Sequence, residues 1–207
     1  TLMRMITGQT RAAAGDITLS GAGKTLDVLA SGAITMADGA LSQTNNGTVR
    51  YQAGTNLTVG QITAGTANVA LVATAGAISD AESSSSTPVN NVTAAGLLMS
   101  AGTAIGSSSN AIETDVATLS TLSSNGGTFL LETSAITVDA LSIVAQRVTA
   151  NGASAALTAL AQQDLTTLGS SATLVLQAAG TITVNGGSDA NGVSTGGNAL
   201  IQASNGN

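Results

Sequence analysis

LDVLASGAITM at 26–36, VRYQAGTNLTV at 49–59 and VALVATAGAIS at 69–79 are variants of one unit. Each has a few apolar residues, a small pair containing glycine, and then Ile or Leu, often followed by Thr. The unit returns as LLMSAGTAIG at 97–106 and LVLQAAGTITV at 174–184, and LIQAS at 200–204 is a truncated copy. Its closing aliphatic is Ile34, Leu57, Ile78, Ile105, Ile136 or Ile182. The steps are 23, 21 and 27 residues from Ile34 to Ile105, and the 46 residues from Ile136 to Ile182 read as two steps of 23. Periods in the low twenties belong to β-solenoids and leucine-rich repeats. No fixed Asn or Cys follows the leucines, so the leucine-rich pattern fails and a parallel β-helix remains.

The expectation is a single all-β domain over 1–207 with about nine coils, a rod on the order of 40 Å long at the spacing of paired strands. The closing aliphatics should stack as an inward ladder. Gly32, Gly54, Gly76, Gly102 and Gly180 should mark corners, where glycine tolerates the positive φ of a sharp bend. Thr18, Thr35, Thr58, Thr63, Thr137 and Thr183 each follow an inward aliphatic and should face out. Loops are expected at 81–91, which holds Pro88 and the serine run Ser83–Ser86, and at 185–198; shorter turns fall at 107–110 and 123–127. At 111–122 and 156–168 the apolar residues also fit helical spacing, and strands are expected for most of both, with room for a short helix at 156–166.

Composition agrees. Hydrophobic residues make up 43% of the 207, yet aromatics are 1%, namely Tyr51 and Phe129. Small and branched side chains suit a narrow interior that repeats, whereas an irregular globule uses large rings. Charged residues are 8%, far below the usual quarter or so, and Thr, Val and Ile favour strands. Met3, Met5, Met36 and Met99 are read as core fillers.

Several functions are excluded. Net charge is −6, with Arg4, Arg11, Lys24, Arg50 and Arg147 as the only cations. Such a chain has no basis for gripping phosphate backbones, few rings for stacking bases, and no attraction to anionic membranes. It contains no Cys and no His, which removes thiolate and imidazole catalysis, disulfides and a serine triad. The most apolar stretch, 92–105, is interrupted by Gly96, Ser100, Gly102 and Thr103 and is too short to span a bilayer. Residues 1–10 lack a signal-peptide pattern, which points to an internal fragment.

The run IETDVATLSTLSSNGGTFLLETSAITV at 112–138, together with 174–184, resembles the repeats of giant bacterial surface proteins of the filamentous-haemagglutinin type, exported adhesins and exoproteins, some using two-partner secretion. The resemblance covers roughly 26–204 and rests on a degenerate pattern. It implies a right-handed parallel β-helix on the cell surface, a stretch of a far longer polypeptide serving as a structural or adhesive spacer. A host or cell-surface glycan or protein is then an expected partner. The Asn-Pro-rich secretion module of such adhesins has no counterpart here. A self-assembling filament or surface-coat subunit is the alternative, since an unpaired edge after 200–204 would recruit further strands.

Some parallel β-helices cleave polysaccharides, so the acids need weighing. Glu113 and Asp115 should share one strand face, with Glu132, Asp139, Arg147 and Asp164 beyond. A lyase needs clustered carboxylates and a base, and sugar grooves generally need aromatic platforms; scattered solvating charge is the simpler reading, and no enzyme is expected. GGSDANG at 186–192 superficially matches a calcium nonapeptide around Asp189. It occurs once with its Asp displaced, and an Asp/Asn/Gly turn explains it without metal. Single threonines at an uneven period also fail the strict arrays of ice binders. No cofactor is expected.

Overall fold

A computed structural model describes residues 15–82 and 89–204; Met3, Met5, Ser83–Ser86 and Pro88 lie outside them. Among the described residues the protein is all-β, with 22 strands and no helix. The first three passages of the chain are β1 (Ile17–Ala22), β2 (Leu26–Ala30) and β3 (Ile34–Thr35); β4 (Leu41–Asn45), β5 (Val49–Ala53) and β6 (Leu57–Val59); and β7 (Gln61–Thr63), β8 (Asn68–Ala73) and β9 (Ile78–Asp80). Each passage lays its strands in parallel on those of the one before, in three ladders. In β10 (Val92–Ala101) and β11 (Ile112–Ser123) one long strand serves the first ladder and then the second.

Two further passages follow. One uses β12 (Thr128–Glu132) and β13 (Ile136–Val138), then an excursion of β14 (Leu141–Ile143), β15 (Gln146–Val148), β16 (Ser154–Ala156) and β17 (Leu160–Gln162), and returns as β18 (Leu165–Thr167). The other comprises β19 (Leu174–Ala178), β20 (Ile182–Val184) and β21 (Val193–Thr195); β22 (Ala199–Ala203) then pairs on β19 and starts an eighth. Of the segments with helical spacing, 111–122 is strand and 156–168 is short strands joined by open connections, with no helix. Leu119 and Leu165 show why: each stacks on its equivalent in the passage before, Leu97 and Thr121.

The interior is a set of columns. One runs Leu26, Val49, Val69, Leu97, Leu119, Val138, with Val184 on the last. The next runs Val28, Tyr51, Leu71, Met99, Thr121, Leu165, Val193. Ile34, Leu57, Ile78 and Ile105 form a third, which continues to Thr128, Leu174 and Ala199. Leu57, Ile78 and Ile105 are fully buried, and Met36 and Met99 are buried too. Side-chain volume is shared within a passage: Tyr51 crosses the interior to the small Ser42, and its hydroxyl lies 2.6 Å from the Ser42 Oγ. The phenol's pKa is pushed up by burial, with the Ser42 bond opposing. None of the six outward threonines is buried, and Thr35, Thr58 and Thr137, Thr183 sit side by side on the outside.

Four sequence expectations change. The described residues make seven passages and the start of an eighth, where about nine coils were expected. The 46-residue interval is one passage, since Ile136 pairs directly with Ile182 and Thr128 with Leu174; the extra length is the excursion. Ile136 also leaves the Ile105 column, because Ile105 bridges Thr128 while β13 stacks on Thr118 and Leu119. The small-Gly-aliphatic unit marks a bend, and the chain uses it at two different bends. Finally, 185–198 contains β21, so the open connection is shorter than expected.

The corner glycines serve a different purpose from the one expected. None of Gly32, Gly54, Gly76, Gly102 and Gly180 has a positive φ; that conformation falls at other turns, including Gly65 and Asn46. Four of them instead lie against the backbone of the preceding passage. A Cβ on Gly102 would stand 2.6 Å from the Thr74 carbonyl oxygen, one on Gly180 2.6 Å from the Ala135 nitrogen, one on Gly76 2.7 Å from the Asn56 nitrogen, and one on Gly54 closer still to the Ser31 carbonyl oxygen. The turns stack by hydrogen bonds, with Thr55 N donating to Gly32 O at 3.2 Å, Ala75 N to Gly54 O at 3.2 Å and Thr103 N to Gly76 O at 3.0 Å. Gly32, in the first described passage, has open space where a Cβ would go.

The excursion is a broken β-hairpin, antiparallel between β14 and β17 and between β15 and β16. It lies on the outer side of the second ladder and covers the column Asp27, Arg50, Ala70, Leu98, Ser120. Ile143, Leu141 and Leu160 pack on Ala70 and Leu98 in a small second core. Gln162 Nε2 donates to Met99 O at 3.0 Å, and the Asp164 carbonyl accepts from Thr121 N at 2.9 Å. Burial of Leu98 and Ile143 stabilises this attachment by about 2 kcal/mol each relative to exposure.

Gly54→Ala should destabilise the protein by at least about 2 kcal/mol by forcing two stacked turns apart, while Gly32→Ala stays within about 0.5 kcal/mol. Urea unfolding of the two variants checks this; equal effects would contradict the close-approach explanation.

Candidate functional site

The predicted acids fall into separate neighbourhoods. Glu113 and Asp115 take the outward parity of β11, and Glu113 is nonetheless buried at 6% exposure. It lines a cavity of about 210 Å³ with Asp80, Glu82, Asn110, Phe129 and Gln177. Asp80 Oδ1 accepts from the Glu82 nitrogen and from Asn91 Nδ2, and the Glu82 carbonyl accepts from Asn110 Nδ2 at 2.7 Å. Glu113 Oε2 is buried without a partner. Burial raises the Glu113 pKa to about 7, Asp80 and Glu82 add repulsion, and a backbone hydrogen bond opposes them. A carboxylic acid poised near neutrality in a cavity is the form general acids take.

Glu132 points the other way. Its β12 position stacks on Thr114 and under Ala178, in an inward column, and it is 3% exposed. Its carboxylate accepts from Thr114 Oγ1 at 2.7 Å, Val116 N at 3.1 Å, and Ser134 N and Oγ at 2.9 and 2.7 Å. Burial raises its pKa and these bonds oppose the rise. It pins the bend between the first two ladders. Glu113 and Glu132 therefore sit on opposite sides of one sheet and do not form a catalytic pair.

Asp139, Asp164 and Asp189 form a third neighbourhood. Asp139 is half-buried, and hydrogen bonds from Asn185 and the Ala140 nitrogen lower its pKa. Asp164 is buried with φ 66° and an unpartnered Oδ1; burial raises its pKa, with Asp189 and Asp139 repelling it. Asp189 Oδ1 accepts from Asn191 N at 3.0 Å, an Asx turn. Among the described residues no three acidic side chains converge as metal ligands.

Arg147 meets none of the acids named with it in the sequence. It reaches from the hairpin to Asp27, where its Nε lies 2.7 Å from Oδ2 while Arg50 Nε lies 2.7 Å from Oδ1. This ion triad fastens the hairpin to the first two passages. Sequence reasoning missed it, and missed Asp80, Glu82 and Asn91 beside Glu113. The 23-residue offset of Asp27 and Arg50, equal to the period, was the one signal for their pairing; nothing local tied Arg147 to either.

No family model, curated protein or solved structure matches the chain.

Because its pKa is raised, Glu113 keeps a proton in the native state that the unfolded chain gives up between about pH 4.5 and 7. Its contribution to stability is complete below that window and is lost as pH rises through it. Glu113→Gln should therefore exceed the parent in stability by roughly 1–3 kcal/mol at about pH 8, with the difference fading toward pH 4.5. Denaturation at the two pH values measures it; a gap independent of pH refutes the assignment.

Proposed function

We propose that the chain is a right-handed parallel β-helix acting as an extracellular structural or adhesive spacer, a stretch of a large bacterial surface protein of the filamentous-haemagglutinin type. The observation that carries this reading is the continuity of the columns over seven passages, with Leu26, Val49, Val69, Leu97, Leu119, Val138 and Val184 directly superposed. Right-handedness is supported by the near-universal hand of parallel crossovers. Apart from the hairpin of 139–164, each passage pairs its ladder strands only with its neighbours, so length is added without changing the cross-section. Such a rod holds whatever it carries away from the surface at a fixed distance. The outward faces of Ser, Thr, Asn and Gln, with charge at 8% of the chain, suit contact with water and glycans. The split of Glu113 and Glu132 across one sheet favours a scaffold over a polysaccharide-cleaving enzyme.

A filament subunit is the second reading: the parallel stacking that joins one passage to the next, as β22 joins β19, can equally join one chain to another.

Electron microscopy of the purified chain, with incubation on pectate and hyaluronate, tests both readings. The spacer reading expects separate short rods, roughly 34 Å long per seven strand spacings, and no unsaturated sugar products. Rods joined end to end, dispersed by Ile201→Lys, would favour the filament instead; product release would overturn both.

A further inference from the structure

The Asp27 triad leaves positive charge unspent. Arg50 and Arg147 each give Asp27 a single Nε hydrogen bond, so two cations face one anion. Their Nη nitrogens have no hydrogen-bond acceptor among the described residues, and Arg147 Nη2 is buried without a partner. A guanidinium carries five N–H donors in a fork that matches a carboxylate, and donors left unpaired away from water cost stability. Both guanidiniums line a cavity of about 350 Å³ between the hairpin and the second ladder, with Leu29, Gln52, Leu157 and Thr158 among its walls. Arg50 forms its buried floor at 7% exposure, and the Arg147 side chain stays 36% exposed. The volume falls within the range of small-molecule sites. Asp27 is the only acid in the cluster, and its two oxygens are already taken.

We propose that this groove binds the carboxylate of an acidic sugar residue, a uronate. The Arg50 Nη nitrogens and Arg147 Nη1 take the carboxylate, while the enclosed Arg147 Nη2 adds its charge from behind. Leu29 and Leu157 cover the apolar face of the ring, and Gln52 and Thr158 meet its hydroxyls. The proposal rests on the adhesive reading above and gives it a ligand class. A chain of net charge −6 has five cations; placing Arg50 and Arg147 together against one carboxylate, from strands nearly a hundred residues apart, makes the groove a local exception to an otherwise repelling surface. Without aromatic platforms, affinity rests on the charge, so binding should be weak and salt-sensitive.

Calorimetric or NMR titration of the whole chain with galacturonate tests this, with galactose and inorganic sulfate as comparisons. The expected result is saturable galacturonate binding, at least tenfold weaker binding of both comparisons, and at least a tenfold loss in Arg147→Gln. Thr158→Trp, at an exposed position, should block the groove while leaving the ion triad intact, which keeps the test decisive if Arg147→Gln loosens the hairpin. Galacturonate binding that is absent, matched by galactose or by sulfate, or unaffected by Thr158→Trp overturns the proposal. Failure of this kind with rods still seen by microscopy removes only the uronate site; loss of the rods removes the spacer reading, whatever the titration gives.

Discussion

Parallel backbone pairing between successive passages is the constraint from which the rest of the structure follows. Once β5 hydrogen-bonds along β2 and β8 along β5, each inward residue must lie over its equivalent one passage earlier. The interior then has no freedom to mix sizes at random. Val49 needs an aliphatic above and below, and a ring such as Tyr51 is accepted only where Ser42 leaves room across the section. The same spacing reaches the corners, where Gly54, Gly76, Gly102 and Gly180 approach the preceding turn too closely for a side chain. Here glycine is selected for stacking distance rather than for backbone dihedral.

The constraint also explains where irregularity can enter. A residue added within a strand would displace every column beyond it, whereas an excursion that returns to where it left displaces nothing. The broken hairpin of 139–164 interrupts the second ladder itself, leaving after Val138 beside Leu119 and returning at Leu165 beside Thr121, and both strands keep their register with β11. It then folds back over the outer column of the second ladder, with apolar contacts at Leu98 and an ion triad at Asp27. Ion pairs of this kind add little net stability but fix geometry; here the geometry is the path of the hairpin along several passages.

Charge placement follows from the scarcity of charge. Glu132 turned inward is tolerated because Thr114, Val116 and Ser134 satisfy its carboxylate. Glu113, with one oxygen unpartnered and Asp80 and Glu82 nearby, gains by keeping its proton. Arg50 and Arg147 share one counter-ion and retain unused donors. The three groups lie in different parts of the stack, each with its own partners.

The sequence alone determined the all-β class and the Ile34, Leu57, Ile78, Ile105 alignment, because a period near the low twenties and an inward aliphatic are written in local order; at 111–122 and 156–168 it left strand and helix both open, because the apolar spacing fits either. It also located Glu113 as an acid worth weighing. Only the tertiary structure decided that the 46-residue interval is one passage, that Ile136 belongs to another ladder, and that Arg147 meets Asp27. A local motif records that the chain bends but not which corner it is turning, and an excursion of suitable length imitates an added coil. Contacts between residues more than a hundred positions apart depend on where that excursion folds back, which is fixed by packing on Ala70 and Leu98 rather than by any neighbouring residue in the chain.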